Sequence, residues 1–205
     1  MAGDSDSNRN DSQWRSEVTH IITNFMRQRL SKRGLQWTPP AVPAASTARP
    51  ELLPAIQSLN LIADSMLAQN EASIREMSTR AVNQNILDYE SFEVIANEMF
   101  VNGCQWSHIV MLLLFASELA FTLAVSASPQ EQDVQVSQVS GWLVRYFSGN
   151  QTVKQWVTSQ GRWNGLAEYA ALPDRRPIST GLMLLVAGSV ATVTLATVIH
   201  YFVKA

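Results

Sequence analysis

Three histidines, one cysteine and a scatter of carboxylates are the residues of this chain that could do chemistry. His20, His108 and His200 are far apart in sequence and form no metal-ligand spacing. No HExxH, CxxC, glycine-rich phosphate loop or nucleophile elbow occurs. Cys104 stands alone, so no internal disulfide can form. At a loop–helix junction it reads as a small semi-buried residue; a nucleophile is the rival reading. The acids of "EASIRE" and "DYESFE" fall where solvated helix faces do. Glu118 is the sharper case, because it is the only charge between Trp106 and Val125. It suits a catalytic or pore-facing carboxylate, or one that ends the buried stretch and reaches water. With no nucleophile–base pair and no ligand set, neither an enzyme, a metal nor a cofactor is expected. The net charge of −2 gives no basic footprint for nucleic acid.

The elements that must position these residues are helical. Apolar residues make up 46% of the chain and charged ones only 16%, so apolar segments rather than a uniform surface account for the composition. "MAGDSDSNRNDSQ", residues 1–13, is polar and acidic and predicts a disordered tail, not a secretory signal. Val18, Ile21, Ile22, Phe25 and Met26 recur at helical spacing, which predicts an amphipathic helix over 14–30, capped by Gly34. Four prolines in 35–50 predict a flexible linker outside the core. Residues 51–71 carry Leu52, Ala55, Leu59, Ile62 and Met66 on one face, with Asp64 at its edge, and a short separate helix follows. A helix over 89–103 ends at Asn102-Gly103. Residues 106–125 are apolar all round and must be buried in a core or in lipid. Another helix starts near Pro129 with Glu131 and Asp133 in its first turn. Two short ones follow, with Trp156 and Trp163 inward. Between Arg176 and Lys204 no charge occurs, and residues 179–199 would span roughly 30 Å as a helix. That predicts a C-terminal membrane anchor over 178–203; a buried C-terminal helix is the rival.

Three segments, in order, resemble the homology segments of the Bcl-2 family of apoptosis regulators. "LNLIADSM" is similar to the third segment (BH3), with Leu59, Ile62, Ala63, Asp64 and Met66 in matching places; Ala63 stands where glycine is usual. "MFVNGCQWSHIVMLLLFASELA" resembles the first (BH1). Its usual Asn-Trp-Gly-Arg reads Gln105, Trp106, Ser107, His108 here. "WVTSQGRWNGLAEYA" resembles the second (BH2) through Trp156, Gly161, Trp163 and Gly165. Details such as "FASEL" and "VAGSVATVTLA" lean toward the Bax-like effector branch.

The resemblance implies an all-α bundle of residues 14–172, with amphipathic helices around a central hydrophobic hairpin (106–125 and 131–148) and a C-terminal transmembrane helix. It implies a groove, with Phe100, Gly103, Trp106, His108 and Ile109 in or beside it, that takes the apolar face of a BH3 helix. The function expected first is a Bax-like effector that binds BH3 helices, oligomerises and permeabilises the mitochondrial outer membrane. Its expected partners are BH3-containing relatives, a second copy, and mitochondrial lipids. The alternative is a pro-survival member that sequesters BH3 helices; a membrane-anchored adaptor outside apoptosis is the other class. Cytosol and mitochondrial outer membrane are the implied locations, with endoplasmic reticulum the second candidate. His108 stands where the family offers an arginine to a partner's aspartate. A free histidine is largely neutral near pH 7 and donates one hydrogen bond rather than a fork, so weaker or pH-dependent groove binding is expected.

Overall fold

The computed structural model describes residues 3–40, 49–83 and 88–172. They form seven α-helices: α1 (Gly3–Lys32), α2 (Leu53–Asn83), α3 (Tyr89–Met99), α4 (Trp106–Ser126), α5 (Gln132–Gly149), α6 (Gln151–Ser159) and α7 (Asn164–Ala171). A 3-10 turn at Pro50–Leu52 leads into α2. No strand occurs among the described residues.

Helix α4 is the axis. Its run from His108 to Ala120 is buried throughout, because α1, α2 and α5 pack around it. A short turn joins α4 to α5, which makes the expected central hairpin. The apolar stripe of α1 gains Trp14 and Leu30 at its two ends. Gly34 closes α1 with φ +82°, as Leu35 N–H bonds the Leu30 carbonyl at 3.0 Å.

Several expectations need correction. The helix among the described residues that is long and apolar enough to cross a membrane is α4, mid-chain, with mean hydropathy 2.2 and 78% of its apolar window buried. The same composition suits a bilayer or a protein core, and here neighbouring helices supply the core. The expected C-terminal transmembrane helix over 178–203 lies outside the described residues, and the membrane-length helix within them is the mid-chain α4. Residues 3–13, expected to be a disordered tail, are part of α1. The polar turn is held from outside, since Lys154 Nζ pairs with Asp11. The two helices expected over 51–71 and just beyond are one helix, α2. No glycine or proline interrupts it after Pro54, and Glu71–Arg75 and Glu76–Arg80 pairs brace it one turn apart. The linker enters the core after all at Trp37, which is 5% exposed and donates Nε1–H to Ser137 Oγ at 3.1 Å.

Candidate helix-binding groove and the motifs around it

The BH3-like segment lies in the first half of α2, and its apolar face points inward. Leu59, Ile62, Ala63 and Met66 are buried, and α2 packs on α4 and α7. Asp64 lies on the opposite side and meets α1. Lys32 Nζ donates to its Oδ2 at 2.7 Å, and the buried Arg29 guanidinium pairs with Oδ1. Burial pulls the Asp64 carboxyl up, but the hydrogen bonds from Lys32 and Arg29 outweigh it and hold its pKa below the usual value. The last turn of α1 thus clasps the acid of the BH3-like segment.

The BH1-like and BH2-like segments meet through tryptophan. Trp106 opens α4 and lies edge-on to Trp156 at 5.1 Å and near Trp163 at 6.1 Å. Trp163 stacks on Trp14 of α1 at 5.6 Å, and Trp14 Nε1–H bonds the Phe147 carbonyl at 2.9 Å. Trp163 is buried as expected, whereas Trp156 is only half-buried at the edge of the cluster. The two glycines of the BH2-like segment have distinct backbone reasons. Gly161 sits at φ +78° in the turn after α6. Gly165 lets the first turn of α7 press on the Gln160 carbonyl. Beside them, Arg162 reaches back to the buried Glu17 of α1 at 3.0 Å.

Helix α3 and the loop after it stand along α5. Asp88 caps α3 by accepting the Ser91 N–H at 2.7 Å. Tyr89 lies under the Arg145 guanidinium at 3.6 Å, Phe92 faces Trp142, and Tyr146 O–H donates to Asn97 Oδ1 at 3.0 Å. Beyond them, Val94 (47% exposed) and Val101 (62% exposed) leave apolar surface open, and Phe100 is partly buried. Of the expected groove residues, Trp106 and Ile109 are packed inside, Phe100 and Gly103 lie at the surface loop, and His108 is turned in.

The His108 geometry revises its expected chemistry. The ring is 9% exposed, edge-on to Phe100, with Nδ1 2.9 Å from the Gly103 carbonyl. A carbonyl only accepts, so Nδ1 carries the proton there and the neutral ring keeps an acceptor at Nε2. The one hydrogen bond expected for a partner's aspartate is already spent inside the loop. Burial holds the His108 pKa below 6.5, against the pull of the Gly103 bond. The folded pKa is therefore below the unfolded one, and stability falls as pH drops through that window. We expect His108→Gln to remove this penalty. Urea midpoints of wild type and variant, compared from about pH 8 to about pH 5.5, should diverge in the variant's favour as pH falls. A constant difference across the range would refute the assignment.

Two other residues were partly hidden from the sequence. Glu118, expected to reach water, is 8% exposed and pairs with Arg33 from beyond the end of α1. Arg145 carried no motif signal, since its role depends on Tyr89 lying beside it. Trp14 could have been found, four residues before Val18 on the same stripe.

The pattern that describes apoptosis regulator proteins of the Bcl-2 family matches residues 59–163, half of the chain. Human Bcl-2-like protein 1 is 31% identical over 80 residues, and the mouse protein 32% over 76. These matches cover 39% and 37% of this chain but only about a third of those relatives' own length, 32% and 30%. Among solved structures, Trichoplax adhaerens trBcl-2L2 bound to trBak BH3 superposes with TM-score 0.61 at 21% identity, over 76% of this chain and 98% of that one. Chicken BOK superposes with TM-score 0.59 at 18% identity, over 77% and 97%. The Bax-like effector expectation is corrected here: the relatives matched by sequence above are human and mouse Bcl-2-like protein 1. Fold, motif order and sequence match agree that this chain belongs to the Bcl-2 family of apoptosis regulators, and it is a regulator rather than an enzyme.

Proposed function

We propose that the protein is a pro-survival regulator that holds the BH3 helix of a pro-apoptotic partner in a groove along α3 and the start of α4. The observation that carries this reading is the sequence match to Bcl-2-like protein 1. The state of α2 supports it. Its own BH3-like face is buried and Asp64 is clasped by Arg29 and Lys32, so that helix is not presented to a partner. The Trichoplax relative with this fold was crystallised bound to a BH3 segment. Recognition would be helix-in-groove: apolar anchors of the partner cover Val94, Val101 and Phe100, and the aromatic packing of α3 on α5 keeps that wall rigid. The cytosol and the mitochondrial outer membrane are the places of action that fit, with the endoplasmic reticulum second.

Dye-filled liposomes of mitochondrial lipid composition provide the test. Added with a pore-forming family effector and its activating peptide, the protein should suppress dye release in proportion to its concentration. Added alone with the same peptide, it should release nothing. Release by the protein itself would overturn the pro-survival reading.

A further inference from the structure

Between Arg80 and Arg145 the chain contains neither lysine nor arginine, yet it carries seven carboxylates. One of them, Glu118, is buried and neutralised by Arg33. Four of the others, Asp88, Glu90, Glu93 and Glu98, belong to α3 and its cap. None of these four forms an ion pair among the described residues. Asp88 is spent on the Ser91 amide, and Glu93 accepts the Tyr89 hydroxyl at 2.9 Å. Arg145, a cation beside this helix, lies at its first residue, over the Tyr89 ring.

The spacing matters as much as the sum. Glu90, Val94 and Glu98 follow one another at intervals of four, so they form one outward stripe of α3 with an exposed valine between two acids. Glu93 lies on the neighbouring stripe, in line with Asn97, and Val101 follows in the turn after the helix. The open apolar surface of this wall is thus bracketed by negative charge along the helix. The position where the family places an arginine supplies no charge to offset it, because His108 is buried and bonded to its own loop.

Resting on the groove reading above, the geometry points to a partner helix that is cationic: lysine or arginine flanks its apolar stripe and faces Glu90 and Glu98 while its anchors cover Val94 and Val101. An anionic helix would bring like charges together in a partly desolvated rim, and complementary charge chooses among partners and speeds their encounter. The aspartate of the BH3 pattern then contributes little here, since no arginine awaits it.

Three helical peptides sharing one Leu-x-x-x-Ala-Asp apolar face, with lysine, glutamine or glutamate at the flanking positions, are titrated against the full chain. At low salt the lysine peptide should bind about tenfold tighter than the glutamate peptide, a gap that shrinks to about twofold near 1 M salt. In Glu90→Gln/Glu98→Gln protein the ratio should fall toward one even at low salt. Equal binding of all three, or preference for glutamate, overturns the inference and leaves the groove reading intact. A lysine preference that survives in the double variant also overturns it, by placing its source elsewhere. If no peptide binds, the groove reading fails and this inference with it.

Discussion

Gly165→Ala is expected to lower the thermal midpoint by about 6–12 °C, a loss of about 3 kcal/mol. A Cβ built at this position would stand 2.0 Å from the Gln160 carbonyl oxygen. That atom is backbone, so no side-chain rotation relieves the clash. It also cannot move freely, because Gln160 follows α6 and its N–H is held by the Trp156 and Val157 carbonyls. The first turn of α7 would have to lift away, taking with it the buried Trp163 and its stack on Trp14. Tryptophan emission should therefore shift to longer wavelength in the same variant. Gly161→Ala provides the comparison. Nothing lies within 4 Å of its added Cβ, and only the positive φ opposes it, so a loss of about 1 kcal/mol is expected. A Gly165→Ala protein that melts with wild type would show that the close approach does not constrain the fold.

Arg33→Ala should cost about 2–3 kcal/mol, less than the full penalty for breaking a buried pair because the arginine side chain is 31% exposed. The guanidinium does two things. It neutralises Glu118, whose side chain is only 11% exposed, and it covers the Phe121 ring at 3.5 Å. The other nearby cation, Arg75, is 3.9 Å from Glu118 Oε1, too far to hydrogen-bond, and that oxygen is buried without a hydrogen-bond partner. Removing Arg33 therefore leaves a carboxylate inside the bundle with one distant counter-charge. The double variant Arg33→Met/Glu118→Leu should recover most of the loss, since an apolar pair of similar size avoids the desolvation cost. Lysine at position 33 should recover only part, lacking the planar fork and the stacking. Chemical denaturation of wild type, Arg33→Met, Glu118→Leu and the double variant gives the cycle. Additive losses in the single and double variants would refute the pairing.

The helices were legible because each carries a local period. The stripe Val18, Ile21, Ile22, Phe25 and Met26 is buried as its spacing required. The all-apolar run from Trp106 stated that it must be enclosed, though not by what. Errors fell where local signal and distant partner disagree. Residues 3–13 are polar and read as disorder, but a lysine 143 positions away from Asp11 helps hold them. Glu118 read as a boundary acid because Arg33 is 85 residues distant in sequence. His108 read as a free donor because nothing in "NGCQWSH" reveals that its Nδ1 hydrogen bond closes on Gly103.

By itself the sequence determined the helical class, the order of the BH-like motifs, the absence of a catalytic constellation and the acidic run between Arg80 and Arg145. These are properties of spacing and composition, set by a period of 3.6 residues and by residue chemistry. Only the tertiary structure decided that Asp64 is clasped by α1, that four tryptophans from four regions meet, and that α4 is core among the described residues. Those facts depend on contacts between residues remote in sequence. Burial free energy selects such contacts from the whole set of apolar faces at once, and no single segment records the choice.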